Sequence, residues 1–100
     1  MSNENRFELI ELFDYYQTLL TQKQCDYFTA YYFDDFSLAE IAETFQVSRA
    51  AVHDALNKIT KELVNYEQKL HLHTKAQKRK ALIEKVSDSD LKVAFLELEQ

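Results

Sequence analysis

Apolar side chains recur every three or four positions along most of the chain, which is the spacing of amphipathic helices. The first such stripe consists of Phe7, Ile10, Phe13 and Tyr16 or Gln17, and it is widened by Leu9, Leu12 and Leu19. It predicts a helix that Asn3 or Asn5 caps and that ends near Thr18. Polar clusters interrupt the periodicity several times. Because it resumes after each of them, the pattern predicts a series of helices joined by short turns.

The second predicted helix runs from Thr21 to about Tyr32. Thr21 and Gln24 stand three residues apart, which is the spacing of a capping box. The apolar side of this helix carries Cys25 and Phe28, and we expect both to be buried. A single cysteine forms neither an internal disulfide nor a metal site by itself, so we interpret Cys25 as a small apolar side chain.

The segment from Ser37 to Asn57 predicts a helix-turn-helix. Ser37 caps a short helix over residues 38–45, and Ser48 caps the long helix that follows. The side chains around the turn have the sizes that this motif needs.

The small residue where the two helices touch is Ala42, while Val47 flanks the turn and Val52 locks the crossing angle. Glycine usually holds the turn position that is Gln46 here. A left-handed backbone at that position costs a residue with a side chain about 1 kcal/mol.

The long helix carries an apolar seam with alternating steps of four and three residues, as in a coiled coil. The seam consists of Val52, Leu56, Ile59, Leu63, Tyr66 and Leu70. It needs a packing partner over more than three turns, supplied either by this chain or by a second copy. Together with a last amphipathic helix, the seam predicts a homodimer.

The segment 68–83 contains no acidic residue. Thr74 with Gln77 either restarts a helix here, or the long helix continues through the segment. Ser87 and Asp88 then form a boundary with an N-cap. The last helix, at about 89–99, has its apolar residues at amphipathic spacing, namely Leu91, Ala94, Phe95 and Leu98.

The composition fits an all-helical fold. The chain of 100 residues contains no glycine and no proline, and a β-sandwich or barrel needs many of these residues in its turns. The length predicts a single helical domain over residues 1–100, with the motif at about 37–57 and a basic and C-terminal helical extension at about 68–100. No apolar stretch is long enough for a membrane span or a signal peptide, so a cytoplasmic location is expected.

The charges are unevenly distributed. Residues 1–45 carry nine acidic and two basic side chains, residues 46–85 carry four and nine, and residues 86–100 carry four and one. The net charge of −5 alone argues against a nucleic-acid-binding protein. The distribution indicates either a basic face on an acidic body or the ordinary variation among helical surfaces.

If the long helix enters a major groove, the outward residues of its N-terminal half meet the base edges. These residues are Ser48, Arg49, Ala50, His53, Asp54 and Asn57. Arg49 can bind guanine, Asn57 can bind adenine, and Asp54 can accept a hydrogen bond from cytosine. Asp54 also repels phosphate, and all six residues are equally typical of an ordinary solvent-facing helix surface.

Candidate contacts to phosphate groups are of two kinds. The hydroxyl groups of Thr21 and Ser37 stand at predicted helix N-termini, where free backbone N–H groups bind anions. The basic candidates for phosphate or RNA contact are Lys58, Lys61, Lys69, Lys75, Lys78, Arg79 and Lys80.

No residues with catalytic or metal-binding spacing are present in the sequence, and we expect neither enzymatic activity nor a cofactor. A glycine-rich phosphate loop is excluded because there is no glycine. His71 and His73 are two positions apart, so on a helix they point in different directions. The six tyrosines favour core packing over a stacking platform for single strands.

From Leu20 to Tyr66 the chain resembles region four of bacterial sigma factors. The matching stretches are LTQKQ and FSLAEIAETFQVSRAAVHDALNKITKELVNYE. Taken whole, the chain resembles the YlxM-like family of small bacterial proteins. That match is carried by LFDYYQTLLTQKQ and YYFDDFSLAEIAE.

The resemblance implies a helix-turn-helix regulator with an association to the signal recognition particle, because the family's genes lie beside that of the particle's GTPase. It assigns DNA-facing positions to Arg49, His53 and Asn57 without showing that these side chains are needed. Two hypotheses follow. The first is a double-stranded-DNA-binding regulator that acts as a dimer, and the second is an adaptor that contacts the particle's RNA or GTPase through the basic segment and binds no DNA.

Overall fold

Helices make up the regular structure of residues 6–99, which are the residues that the computed structural model describes. They are α1 (Arg6–Tyr16), a 3-10 helix (Gln17–Leu19), α2 (Gln22–Tyr32), α3 (Leu38–Phe45), α4 (Arg49–Leu70), α5 (Leu72–Ile83) and α6 (Ser89–Glu97). The all-helical prediction is confirmed, and the cap predicted at Asn3 or Asn5 lies outside the described residues. None of the helices found in residues 6–99 combines the length and the apolar character that crossing a bilayer requires.

The long helix α4 is the centre of the fold, and α1, α2 and α3 all pack on it. Leu56, Ile59 and Leu63 of its apolar seam are fully buried. Leu70, at the other end of the seam, is 43% exposed. The packing partner that the heptad spacing requires is therefore supplied by this chain over the N-terminal part of the seam.

Aromatic rings fill the space between α1 and α2. The rings of Phe13 and Phe28 stack with their centroids 4.2 Å apart, and Phe28 and Tyr32 stack at 4.3 Å. Such side chains bury large apolar areas, and ring pairs add to the stability that the area alone provides. This aromatic layer holds α2 in the position from which it supports α3 and α4.

Three sequence predictions about α1 and α2 are wrong. Phe7, the first residue of the predicted stripe, is 78% exposed, whereas Leu9, Leu12, Phe13 and Tyr16 of that stripe are buried. α1 also ends at Tyr16, where the chain tightens into the 3-10 helix. Cys25 is only partly buried, since it lies at the edge of α2 with its thiol 3.5 Å from the carbonyl oxygen of Gln17.

The long helix stops at His71, where the backbone is left-handed with φ at 56°. α5 begins immediately afterwards, so the restart, and not the continuous helix, is the correct alternative. Thr74 does not cap the new helix, because its hydroxyl group donates a hydrogen bond to the Glu67 carboxylate at 2.7 Å. The left-handed residue costs about 1 kcal/mol, which the contacts of that carboxylate offset.

The carboxylate of Glu67 holds the start of α5 against α4. It accepts hydrogen bonds from the backbone N–H groups of His73 and Thr74, both at 3.1 Å, and from the Tyr16 hydroxyl at 2.6 Å. N–H groups in the first turn of a helix have no partner within that helix. The Tyr16 hydroxyl accepts in turn from the N–H of Leu72 at 3.1 Å. One carboxylate therefore joins α1, α4 and α5.

These contacts shift the pKa values of both side chains. Burial by itself raises the pKa of Glu67, but the hydrogen bonds from Tyr16, Thr74 and His73 outweigh it, and the pKa lies below its ordinary value. Burial, followed by the hydrogen bond to Glu67, raises the pKa of Tyr16 to about 12. The fold thus favours a charged carboxylate beside a neutral phenol.

α5 and α6 form a hairpin that extends from the bundle of α1 to α4. Asp88 caps α6 by accepting from the N–H of Leu91 at 2.8 Å, which confirms the predicted N-cap. Arg79 of α5 donates two hydrogen bonds to Glu99 at 2.6 and 3.2 Å. The radius of gyration is 17.0 Å, against about 13 Å for a compact domain of this length, so the molecule is elongated.

Candidate nucleic-acid interface

α3 begins with a complete capping box. The Ser37 hydroxyl accepts from the backbone N–H of Glu40 at 3.1 Å, and the Glu40 carboxylate accepts from the N–H of Ser37 at 3.0 Å. The hydrogen bonds from Ser37 hold the pKa of Glu40 below its ordinary value. This arrangement fixes where the first helix of the motif begins.

The turn between α3 and α4 has the predicted left-handed residue. Gln46 has φ 57° and ψ 47°, and the N–H of Val47 donates to the carbonyl oxygen of Ala42 at 3.0 Å. A hydrogen bond of this kind ends a helix by satisfying one of its last carbonyl groups. Ser48 is extended, and its hydroxyl accepts from the N–H of Ala51 at 3.0 Å. The chain thus leaves α3 and enters α4 through a short, well-bonded turn.

Apolar contacts fix the angle between the two helices. Ala42 and Val52 are buried where α3 meets α4, as the spacing predicted. Phe45 packs edge-on against the ring of Tyr27, with the centroids 4.8 Å apart. This contact anchors the end of α3 to α2. The helix-turn-helix is therefore a rigid part of the core, and it presents the N-terminal half of α4 to solvent.

The six predicted base-facing residues all reach the surface on this half of α4. Ser48, Arg49, Ala50 and Asp54 are exposed, while His53 and Asn57 are half-buried. The ring nitrogen Nδ1 of His53 lies 3.5 Å from the Asn57 amide nitrogen and 3.6 Å from a carboxylate oxygen of Asp54. The three polar side chains thus form one group in which the carboxylate is the most exposed.

A shallow groove of about 580 Å³ continues this surface along α4. It is lined by Asp54, Asn57, Lys58, Lys61, Glu62 and Asn65. The two lysines follow Asp54 by four and seven positions, so all three lie on the helix side opposite the buried seam. Glu62 and Asn65 are not among the contact residues predicted from the sequence. The same spacing, counted from Asp54, identifies Asn65 as a neighbour.

The remaining hydroxyl candidates are already used within the fold. The Thr21 hydroxyl accepts from the N–H of Gln24 at 3.1 Å in the predicted capping box, as the Ser37 hydroxyl does at α3. Both residues are exposed, so each can still donate its hydroxyl proton to a phosphate oxygen.

Acidic side chains surround the motif. The exposed carboxylates of the α2–α3 loop and α3 are those of Asp34, Asp35, Glu40 and Glu43. Asp35 forms an ion pair with Arg6 at 3.3 Å. The exposed cations of the α4 surface are Arg49, Lys58 and Lys61. Because the carboxylates oppose the attraction of these cations for phosphate, this face has only a modest positive field.

The other basic candidates lie on a different part of the molecule. Lys69 is in the last turn of α4, and Lys75, Lys78 and Lys80 are exposed on α5. Arg79 is held by its hydrogen bonds to Glu99. α4 has 22 residues and is therefore about 33 Å long. The structure does not bring the α5 residues together with the base-facing ones.

Metal binding finds no support in residues 6–99, where no group of three or more His, Cys, Asp or Glu side chains is placed to hold an ion. His73 contacts the Glu11 carboxylate and lies edge-on to the ring of Tyr15. These contacts of His73 with two residues of α1 help to hold α5 against α1.

Comparison with known proteins identifies the family. Residues 3–99 match the family model described as "Putative helix-turn-helix protein, YlxM / p13 like". A UPF0122 protein of Ureaplasma urealyticum serovar 10 is 49% identical over 92 residues, which are 91% of this chain and 93% of that protein. The UPF0122 protein YlxM of Bacillus subtilis is 48% identical over 88 residues, 88% of this chain and 80% of its own length. This chain therefore belongs to the YlxM / p13-like family of helix-turn-helix proteins.

Proposed function

We propose that the protein binds double-stranded DNA through the N-terminal half of α4 and acts as a cytoplasmic regulator of transcription, without enzymatic activity. The observation that carries this proposal is the exposed surface of α4 beyond a rigid turn. An α-helix presented in this way fits a B-DNA major groove, and its first residues then meet the base edges.

Each polar group of this surface has a distinct role. Arg49 donates to guanine and Asn57 to adenine, whereas Asp54 accepts from cytosine and rejects sequences that would place an acceptor there. Lys58 and Lys61 lie further along α4 and contact phosphate groups. The carboxylates around the motif weaken non-specific attraction, so base contacts supply a larger share of the affinity than they do in a strongly basic protein.

The test compares two double variants of equal charge change in fluorescence anisotropy with labelled duplex DNA. Lys58→Ala/Lys61→Ala should weaken binding about tenfold or more at low salt, because two phosphate contacts are lost. The control Lys80→Ala/Lys85→Ala, in α5 and the turn that follows it, should leave affinity within about twofold. Equal losses in both pairs would contradict docking through α4.

Base readout requires a selected site. On such a site Arg49→Ala should lower the affinity by about 1–3 kcal/mol and relax the preference at one base pair. The variant Asn57→Ala should do the same at a second base pair. Unchanged affinity and unchanged preference in both variants would contradict base readout by this helix.

A second candidate function is contact with the signal recognition particle's RNA or its GTPase. It is favoured by the exposed lysines of α5, Lys75 and Lys78, which lie away from the base-facing residues. Lys75→Ala/Lys78→Ala should then lose binding to the particle's RNA in the same assay, while Lys58→Ala/Lys61→Ala keeps it. Recovery of neither component in a pull-down from extract would eliminate this candidate.

A further inference from the structure

The α5–α6 hairpin exposes more apolar side chains than it covers. α6 has no buried residue over Ser89–Glu97. The exposed large apolar side chains of the hairpin are Leu72, Leu82, Leu91, Val93, Phe95, Leu96 and Leu98. Contiguous exposure of this kind is uncommon on proteins that act as monomers and typical of an interaction surface.

The exposed apolar side chains of α6 and of the residue that follows it lie on two sides of that helix. Phe95 and Leu98 face α5, where they line an apolar cavity of about 490 Å³ together with Leu82 and Ile83. Val93, two positions before Phe95, lies on the opposite side of the helix, about 200° around its axis. A helix that is apolar on both sides is normally covered on both, and α5 covers one side of α6.

Exposed sides of the two helices carry opposite charges. On α5, Lys75 and Lys78 precede Leu82 by seven and four positions, so they continue the exposed side of the helix that borders the cavity at Leu82. On α6, Asp90 and Glu97 lie three positions before and four after Val93, so they flank it in the same way.

These four charges are unpaired within the chain. Lys75, Lys78, Asp90 and Glu97 are exposed, and none of them forms an ion pair or a side-chain hydrogen bond with another residue of the described range 6–99. The charges on the inner side of the hairpin are paired instead. Arg79 binds Glu99, and Lys92 binds Glu84 at 3.1 Å.

We propose that a second copy of this chain docks on the hairpin, with the basic side of α5 from each copy against the acidic side of α6 from the other. In a dimer with a two-fold axis, the basic surface of each copy contacts the acidic surface of the other, so both surfaces of both copies are covered. Leu82, which is 64% exposed at the edge of the α5–α6 cavity, then packs near Val93 of the partner copy, and the lysines lie beside the carboxylates. The product is a four-helix bundle made from two hairpins.

This dimer does not depend on DNA binding and leaves the α4 surface free, since the motif lies at the far end of α4. It also covers Lys75 and Lys78, the residues that the second candidate function would use for RNA. The charge complementarity within one hairpin favours a second copy over RNA, which would be repelled by Asp90 and Glu97.

The test reverses the charges one face at a time and measures mass by light scattering at high micromolar concentration, without DNA. The wild-type protein should be a dimer. Lys75→Glu/Lys78→Glu and Asp90→Lys/Glu97→Lys should each weaken the dimer at least about tenfold, because like charges then face each other at both symmetry-related contacts. Mixing the two variants should restore the dimer, since each helix again meets a partner of opposite charge.

The matched control is Lys58→Glu/Lys61→Glu, which changes the net charge equally on α4 and should leave the dimer intact. A monomeric wild-type protein would overturn the proposal, whether or not Lys75 and Lys78 then prove to bind RNA. A dimer that both reversals leave unchanged would overturn it as well. Failure of DNA binding would change neither result, so the two proposals are tested separately.

Discussion

Leu56→Ala should lower the free energy of unfolding by about 3 kcal/mol, because it leaves a cavity where α4 meets the helices packed on it. Leu56 is 0% exposed, whereas Leu70, on the same apolar seam, is 43% exposed. The matched substitution Leu70→Ala should therefore cost less than about 1 kcal/mol. Urea unfolding followed by circular dichroism measures both values.

The two losses of unfolding free energy, at Leu56 and at Leu70, show how much of the apolar seam is covered by this chain itself. Equal losses at both positions would show that the C-terminal end of the seam is buried in solution, as in a coiled coil formed by α4 of two copies. If Leu56→Ala does not fold, Ile59→Val remains measurable and should cost about 1 kcal/mol, since Ile59 is equally buried.

Glu67→Gln should destabilise the docking of α5 by about 2 kcal/mol at neutral pH. The amide nitrogen introduced by the substitution is a donor, and it would face the hydroxyl and N–H donors that now bind the carboxylate. Hydrogen exchange should become faster in the first turn of α5. The control Glu62→Gln should change stability by less than about 0.5 kcal/mol, because Glu62 accepts one hydrogen bond, from Gln24 at 3.2 Å.

The same carboxylate makes stability depend on pH. The pKa of Glu67 is lower in the folded protein than in the unfolded chain, so its contribution is present above the unfolded pKa and is lost as the pH falls through the folded pKa. The difference between wild-type protein and Glu67→Gln should therefore shrink below about pH 4. A difference that stays constant down to strongly acid pH would contradict this assignment.

Tyr16 makes the stability of the fold decrease at alkaline pH. Its pKa is raised to about 12, so between the unfolded and folded values the unfolded chain binds fewer protons than the folded one. Stability then falls as the pH rises through that range.

Features that depend on neighbouring residues could be predicted from the sequence. The caps at Thr21, Ser37 and Ser48 need only a hydroxyl group and the next turn of the helix, and all three are present. The left-handed turn at Gln46 also follows from local spacing. For the same reason the surface location of the six proposed base-contacting residues could be predicted, because they lie at the start of one helix whose N-cap is local.

Features that depend on residues far apart in the chain could not be predicted from the sequence. Tyr16 and Glu67 are 51 positions apart, and their hydrogen bond exists only because α1 packs on α4. Phe7 has the spacing of a buried residue, yet it is 78% exposed at the start of α1. The pairing of Arg79 with Glu99, which occupies one of the predicted phosphate contacts, likewise requires the hairpin to form.

The most direct test of DNA binding through α4 is a salt series of anisotropy titrations with duplex DNA. Neutralisation of phosphate by Lys58 and Lys61 predicts that the logarithm of the affinity falls with the logarithm of salt concentration with a slope of about −2 per chain. That result would support the α4 surface as the binding site and justify a selection for its sequence. No binding even at low salt would contradict the proposal, and the helix-turn-helix would then serve as a scaffold.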